Sequence, residues 1–108
     1  MDEKVYSFLG LAAKAGKLLS GEEACEKGLK SGKGYLVIVL EDASDNTRRK
    51  FETICSNRGV EISNFGEKAL LGKYSGKGLR SVIVVMEKGF AGRLKEMISI
   101  RGTELGGV

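Results

Sequence analysis

The segment that decides the fold is Tyr35-Leu36-Val37-Ile38-Val39-Leu40. Its apolar residues do not alternate with polar ones, so it predicts a central strand that is covered on both faces. A second segment of the same kind, Ser81-Val82-Ile83-Val84-Val85-Met86, follows later in the chain. Two such strands indicate a sheet that lies between layers of helices.

The residues before the first buried segment predict two helices. Apolar residues at positions 5, 8, 9, 12 and 13 have the helical period, and Gly16 closes this helix. Lys17-Leu18-Leu19 predicts a short edge strand or an extended linker. Ser20 and Glu23 then have the spacing of a capping box for a second helix that runs to about Ser31. The predicted apolar side of that helix is a narrow stripe, Ala24, Cys25, Gly28 and Leu29.

The second half of the chain continues the alternation. A third helix is predicted from its N-cap, Ser44, to Gly59, and a short half-exposed strand follows around Val60 and Ile62. A brief helix over residues 67–74 and a last helix around residues 90–98 flank the second buried strand. The sequence therefore predicts an α/β fold, a three-layer α/β/α sandwich whose mixed central sheet has about four strands and helices on both faces.

Length and composition limit the possible functions. The chain has 108 residues, 18 Lys and Arg against 14 Asp and Glu, and no histidine or proline. This size predicts a single domain, residues 1–108, whose last residues from about 101 form a loose tail. Because histidine is absent, the usual general base is missing, and we expect no enzyme. The net charge of +4 favours a polyanionic partner.

Cysteine usage and hydropathy give expectations about metals and location. Cys25 and Cys55 form no C-x-x-C motif and have no histidine beside them, so we expect reduced, buried thiols in a cytoplasmic protein, with no metal and no cofactor. The apolar runs are too short to span a membrane, and Met1-Asp2-Glu3-Lys4 does not resemble a secretory signal.

One internal similarity stands out. Both Gly28–Gly34 and Gly72–Gly78 read GxxxGKG, after a helix and before a buried strand. They are either ordinary loops that stop a helix or glycine loops whose lysines contact phosphate. Segment 66–80 also combines several cations with glycines and exposed apolar residues, which suits RNA backbone and an unstacked base as well as a plain basic loop.

Glu41 and Asp42 follow the first buried strand, where open α/β sheets place ligand groups. A carboxylate at Asp42 could hold magnesium or accept a phosphoryl group. Such a site lacks the acidic pair on an earlier strand that receiver domains use. A structural role, in which Asp42 tethers the loop before the third helix, is the stronger interpretation.

The order of these pieces resembles the kink-turn-binding ribosomal protein family, the L-seven-Ae family, and its short bacterial members. The resemblance covers about residues 4–100. It rests on Gly16-Lys17-Leu18-Leu19-Ser20-Gly21-Glu22, on Leu40-Glu41-Asp42-Ala43-Ser44 and on Lys68-Ala69-Leu70-Leu71-Gly72. It implies binding of a kink-turn, an RNA helix bent sharply at a bulge beside sheared G·A pairs, by the start of the second helix.

The resemblance also implies the binding residues. Gly21 opens the second helix, Lys27 matches a family lysine, and Glu23 and Ala24 stand where strong family members have Asn and Glu. Lys68 matches a phosphate-contacting lysine, and Leu79 would contact the flipped-out base. The whole implied RNA-binding set is Lys17, Gly21, Glu22, Glu23, Lys27, Lys68, Lys77, Gly78, Leu79 and Arg80.

The resulting hypothesis is a non-catalytic, ribosome-associated RNA-binding protein whose partner is a structured RNA, a kink-turn in ribosomal RNA or in an mRNA element. The alternative is a protein-interaction module on the same fold. Its mark would be an exposed apolar patch on the second or fifth helix without a continuous positive surface. The sequence leaves the oligomeric state open.

Overall fold

A computed structural model of the chain describes residues 2–106, with side chains described for residues 3–100. Helices and strands alternate in the order α1 Asp2–Lys14, β1 Leu18–Ser20, α2 Glu22–Lys30, β2 Leu36–Val39, α3 Asp45–Arg58, β3 Glu61–Asn64, α4 Lys68–Ser75, β4 Val82–Val85 and α5 Lys88–Gly106. The four strands form one sheet in the order β1-β4-β2-β3. β2 and β3 are parallel and the other two pairs are antiparallel, so the predicted mixed sheet is confirmed.

The sheet separates two apolar cores, as expected for strands that are buried on both faces. Leu36 and Ile38 of β2 face a core that they share with α1, α4 and α5. Val37 and Val39 of the same strand face the other core, with α2 and α3. Because side chains alternate along a strand, one apolar run supplies both cores. The predicted α/β/α sandwich is confirmed.

Three local expectations change in the structure. The N-cap of α2 is Gly21, and Ser20 belongs to β1, so the predicted capping box is wrong. Ala24 is exposed, whereas Cys25, Gly28 and Leu29 of the predicted stripe are buried. Helix α5 continues to Gly106, through residues for which the sequence predicts a loose tail; no proline interrupts it there, and residues 107 and 108 lie outside the described part.

The antiparallel pairs give the sheet two distinct ends. At one end, the Gly21 N–H donates to the Val82 carbonyl at 3.0 Å and the Leu40 N–H donates to the Ser81 carbonyl at 2.9 Å. We call this the Gly21 end. At the other, the Met86 N–H donates to the Lys17 carbonyl at 2.8 Å and the Tyr35 N–H donates to the Val85 carbonyl at 2.9 Å. We call this the Lys17 end.

Both cysteines are free thiols buried in the core beneath α2 and α3. Burial raises the pKa of Cys25 to about 12 and that of Cys55 to about 11. Both groups are therefore protonated packing residues at neutral pH. Within residues 2–106, no helix combines the length and the hydropathy that a membrane crossing requires.

Candidate nucleic-acid interface

The N-cap residue of α2 is a glycine, which has no side chain to accept a hydrogen bond. Gly21 has φ 91° and ψ 153°, and no side chain of residues 3–100 accepts a hydrogen bond from the first N–H groups of the helix. This backbone conformation is almost restricted to glycine, and here it turns the chain from β1 into α2. The first amide N–H groups of α2 therefore remain available, at the end where the helix dipole is positive.

The later helices begin differently. The Ser44 hydroxyl accepts a hydrogen bond from the Thr47 N–H at 3.2 Å at the start of α3. The Asp42 carboxylate accepts from the Lys68 N–H at 3.1 and 3.3 Å at the start of α4. The Glu87 carboxylate accepts from the Phe90 N–H at 2.6 Å at the start of α5. Among the starts of α2–α5, all within the described residues, that of α2 alone lacks a side-chain cap.

An open groove surrounds the start of α2, and we call it the α2 groove. It brings Arg80, from the loop before β4, against Gly21: a Cβ atom built on Gly21 would lie 3.6 Å from the Arg80 Cδ atom. The buried Arg80 Nε has no hydrogen-bond partner within the described part of the chain. The groove is lined by Ser20, Gly21, Glu22, Glu23, Ala24, Lys27 and Arg80.

The two glutamates at the start of α2 have different surroundings. Glu22 faces α3, where its carboxylate accepts a hydrogen bond from the Thr47 hydroxyl at 3.0 Å and lies 3.9 Å from the Lys50 Nζ. Thr47 is 5% exposed, so this contact ties the start of α2 to the buried side of α3. Glu22 lines the groove, but its carboxylate is already engaged.

Glu23 instead points into solvent together with Lys27. Their side chains are 89% and 79% exposed, and the carboxylate lies 3.8 Å from the ammonium group. An exposed pair of this kind contributes little to stability and rearranges easily. The α2 groove therefore offers one mobile acceptor, Glu23, and one mobile cation, Lys27, beside the helix N–H groups and Arg80.

One turn further along, Glu26 is held firmly. Its carboxylate lies 2.7 Å from the Lys30 Nζ and 2.7 Å from the Lys50 Nζ. Hydrogen bonds from Lys30 and Lys50 lower the pKa of Glu26 to about 2. This cluster fixes α2 on α3 and keeps these two lysines away from the groove.

The loop of residues 77–80 adjoins the same region. It folds back onto α4, since a Cβ atom on Gly72 would lie only 2.7 Å from the Gly78 carbonyl oxygen. Lys77 lines a small cavity between α1, β1 and α4 to which Ser20 also contributes. Ser20 therefore borders both this cavity and the α2 groove. Leu79, at the tip of the loop, is 68% exposed.

Lys68 and Lys17 lie outside the α2 groove. Lys68 starts α4 at the Gly21 end of the sheet, but it is not among the groove residues. Lys17 lies at the opposite end of β1, where its carbonyl bonds to Met86. Four residues of extended chain separate Lys17 from Gly21, which corresponds to ~13 Å. The structure therefore brings together Gly21, Glu22, Glu23, Lys27, Arg80 and the 77–80 loop. Lys68 lies outside this groove at the same end of the sheet, and Lys17 lies at the opposite end.

Two residues at this end make contacts that the sequence did not predict. Asp42 caps α4, a helix from another part of the chain, whereas the sequence suggested that it tethers the loop before α3. Arg48 of α3 donates to the Asn64 side chain and to the Leu40 and Glu41 carbonyls at 3.4 and 3.2 Å. Arg48 therefore joins the ends of β2 and β3. The Asp42–Lys68 and Arg48–Asn64 contacts have no local sequence signal, because their partners are 26 and 16 residues apart.

The structure gives little support for a metal site or for a protein-interaction site. Among the described residues, no group of three or more Cys, Asp or Glu side chains is arranged to hold a metal ion. The large exposed apolar side chains that the structure describes are scattered over several elements: Leu11, Tyr35, Leu70, Leu79 and Ile100. None of these lies on α2, and α5 contributes a single one, so the apolar patch expected of a protein-interaction module is found neither on α2 nor on the part of α5 whose side chains are described, residues 88–100.

The sequence matches one family model and two relatives. Residues 3–94 match the model of the ribosomal protein L7Ae/L30e/S12e/Gadd45 family. The chain is 36% identical over 93 residues to the RNA-binding protein YlxQ of Bacillus subtilis (strain 168), covering 86% of this chain and 93% of that protein. It is 34% identical over 96 residues to the RNA-binding protein YlxQ of Enterococcus faecium, covering 89% and 92%.

Solved structures show the same fold. A protein with unknown function from Bacillus halodurans C superimposes with a TM-score of 0.85 and 38% identity, over 89% of this chain and 97% of that one. The Giardia lamblia 15.5kD RNA binding protein superimposes with a TM-score of 0.70 and 21% identity, over 89% of this chain and 82% of that one. The second similarity concerns the fold alone.

Proposed function

The chain belongs to the ribosomal protein L7Ae/L30e/S12e/Gadd45 family, and on this basis we propose that it binds RNA, specifically a sharply bent, kink-turn-like element, through the α2 groove and the 77–80 loop. Its relatives from Bacillus subtilis and Enterococcus faecium are named RNA-binding proteins. The observation that carries the proposal is the uncapped start of α2 beside Arg80 and Lys27.

The groove suits two parts of such an RNA at once. The α2 N–H groups, Arg80 and Lys27 favour phosphate oxygens, which a sharp bend crowds together. Glu23 is an acceptor for the N–H groups on a guanine edge, which the wide minor groove of RNA exposes. The Ala24 side chain forms no hydrogen bond, so Glu23 is the main side chain that distinguishes the G·A pairs from other base pairs.

The 77–80 loop contributes a contact of another kind. Leu79 is exposed at its tip and next to two cations, Lys77 and Arg80. An unstacked base would bury apolar surface against Leu79 while the cations contact the flanking phosphates. We assign Lys68, on the same end of the sheet, to phosphate further along the RNA.

This is a binding role without catalysis, and we place the protein in the cytoplasm, where ribosomal RNA or a structured mRNA element supplies the bent site. The groove contains cations and a single mobile carboxylate, and RNA binding without catalysis accounts for all of these groups. The RNA itself completes the recognition, because only a bent strand pair presents guanine edges and crowded phosphates within reach of one helix end.

The test is a titration of the protein with a standard kink-turn RNA and with a control in which the G·A pairs are replaced by G·C pairs. We expect the control to bind at least ~10-fold more weakly, the equivalent of one lost base contact of about 1–3 kcal/mol. Affinity should also fall steeply as salt is raised. Equal affinity for both RNAs would leave only non-specific attraction and overturn the proposal.

Two substitutions test which surface of the protein binds the RNA. Lys27→Ala should weaken kink-turn binding and reduce the salt slope by about one. Lys68→Ala should do the same if the start of α4 contacts phosphate. The matched control is Lys4→Ala, which removes the same charge from an exposed position on α1. Loss of binding in all three variants alike would point to net charge instead of the α2 groove.

A further inference from the structure

We propose that the Lys17 end of the sheet is a second RNA contact, which takes a single-stranded segment that adjoins the bent element, with a base stacked on Tyr35 and phosphates at Lys17 and Lys33. This inference rests on the proposed RNA-binding function. It concerns the end of the molecule opposite the α2 groove, and it gives a role to residues that the first site leaves unused.

The contact is centred on an exposed aromatic ring. Tyr35 directly precedes the fully buried strand β2, yet its side chain is 55% exposed. It lines a shallow groove with Gly32, Lys33, Gly34 and Met86. Met86 is partly buried and packs on the core beneath α2 and α3, so it forms a firm apolar floor. An exposed ring on such a floor is a platform on which a base of any sequence can stack.

The backbone around Lys33 repeats that around Lys77. In each GxxxGKG segment the first glycine lies in a helix at a tight contact: Cβ atoms on Gly28 and Gly72 would lie 2.3 Å from the Leu19 Cδ1 and 2.7 Å from the Gly78 oxygen. The two later glycines are left-handed in both segments, at φ 83° and 106° in the first and 71° and 77° in the second. Each loop therefore presents its lysine between two glycines that have no side chains to obstruct a phosphate.

The charges around the Tyr35 groove favour an anion. Lys17 and Lys33 are exposed, and neither forms an ion pair with any side chain that the structure describes. The glutamates of the neighbouring elements are engaged elsewhere: Glu26 by Lys30 and Lys50, Glu61 by Lys95 at 2.5 Å, and Glu87 by the start of α5. Among the side chains of residues 3–100, no acidic one lines the groove itself.

Helix α2 connects the two contacts. Its nine residues span ~13 Å from the α2 groove to the Lys33 loop. Lys27 lies on this path near the α2 groove and Lys33 lies at its far end, whereas Lys30 between them is paired with Glu26. A strand that leaves the bent element at Lys27 therefore meets positive charge again at Lys33, which lines the Tyr35 groove. A stretch of about six nucleotides, within the ~4–16 that single-strand sites cover, is long enough.

The experiment compares three RNAs that share one kink-turn hairpin: blunt, and with a 5′ or a 3′ single-stranded extension of about six nucleotides. For the wild type we expect one extension to raise affinity about tenfold, the gain typical of a stacked base. Tyr35→Ala should abolish this gain and leave the affinity for the blunt hairpin unchanged. Tyr35→Phe, which keeps the ring, should retain the gain. Lys33→Ala should reduce it, and Lys4→Ala should not.

The outcomes separate this inference from the proposed function. If the blunt hairpin binds but neither extension adds affinity, the second contact is refuted and the proposed function stands. If an extension adds affinity that Tyr35→Ala leaves intact, the strand lies elsewhere and the inference fails. If no kink-turn RNA binds, the proposed function fails, and a titration with the single strand alone tests the Tyr35 groove through the same four variants. Thermal unfolding of each variant checks that it remains folded.

Discussion

Replacement of Gly72 by alanine tests how the 77–80 loop is held in place. A Cβ atom at this position would lie 2.7 Å from the Gly78 carbonyl oxygen and 3.1 Å from its carbon. Both are backbone atoms, so relief requires the loop itself to move. Overpacking of this kind costs about 1–3 kcal/mol, and the helix propensity of alanine offsets about 0.5–1 kcal/mol of it. We expect a net loss of about 1–2 kcal/mol in the free energy of unfolding.

The assay is thermal unfolding followed by RNA titration. For a domain of this size, the expected loss lowers Tm by ~4–16 °C. The matched control is Gly92→Ala in α5, where a Cβ atom meets nothing within 4 Å. This control should gain about 0.5–1 kcal/mol, because alanine favours a helix interior. If Gly72→Ala also raises Tm, the packing argument is wrong.

The binding measurement adds a second criterion. Displacement of the 77–80 loop moves Lys77, Leu79 and Arg80 together, so Gly72→Ala should weaken kink-turn binding at temperatures where the variant is fully folded. Gly92→Ala should bind like the wild type. A folded Gly72→Ala protein with unchanged affinity would remove the loop from the interface and leave the α2 groove as the whole site.

Three further predictions concern other parts of the fold. Gly21→Ala should lower the free energy of unfolding, measured by urea titration, by about 1–3 kcal/mol because of the backbone angles at this position. The distance from the added Cβ atom to the Arg80 side chain, 3.6 Å, is an ordinary contact and contributes nothing to this loss. Equal stability of the variant and the wild type would show that α2 can start differently. The folded pKa of Glu26 is about 2 against a usual 4.5, so its stabilisation is present above about pH 4.5 and disappears as pH falls towards 2. Glu26→Gln should therefore lower Tm at pH 7 and have a diminishing effect in acid, and a pH-independent difference would contradict this. Cys25 and Cys55 should resist alkylation at pH 8 in the native protein and react in denaturant, because burial raises both pKa values; rapid native labelling would show that this core opens.

The layers of this fold follow from local sequence, and so does the Ser44 cap at the start of α3. Each buried strand is a continuous apolar run, and this pattern is independent of what the strand pairs with. The start of α2 is different. Ser20 and Glu23 have the spacing of a capping box, but Ser20 pairs with Ile83 in the sheet. The chain therefore turns into α2 at Gly21, whose N–H donates to the Val82 carbonyl. A pairing across the chain thus overrides a local preference.

The candidate site likewise combines residues that a local pattern brings together with residues that only the tertiary fold brings together. Lys27 and Gly21 are close in sequence, and the helical pattern is enough to bring them together. Arg80 reaches Gly21 only because β4 lies antiparallel beside β1, which no local pattern reveals. Lys17 illustrates the reverse case, since it is near Gly21 in sequence but lies beyond the opposite end of β1. Proximity along an extended chain is a poor guide to proximity at a surface, because each residue advances ~3.3 Å.

The composition of the α2 groove also determines which property of an RNA controls its affinity. The groove has few base-specific groups, essentially Glu23, and several that attract phosphate. Under the proposed function, selectivity must then come largely from the bent shape, which alone presents phosphates and guanine edges to one helix end. For a partner that is bent only part of the time, apparent affinity scales with the bent fraction. A change in the RNA that raises this fraction tenfold should tighten binding about tenfold without altering any contact of the protein.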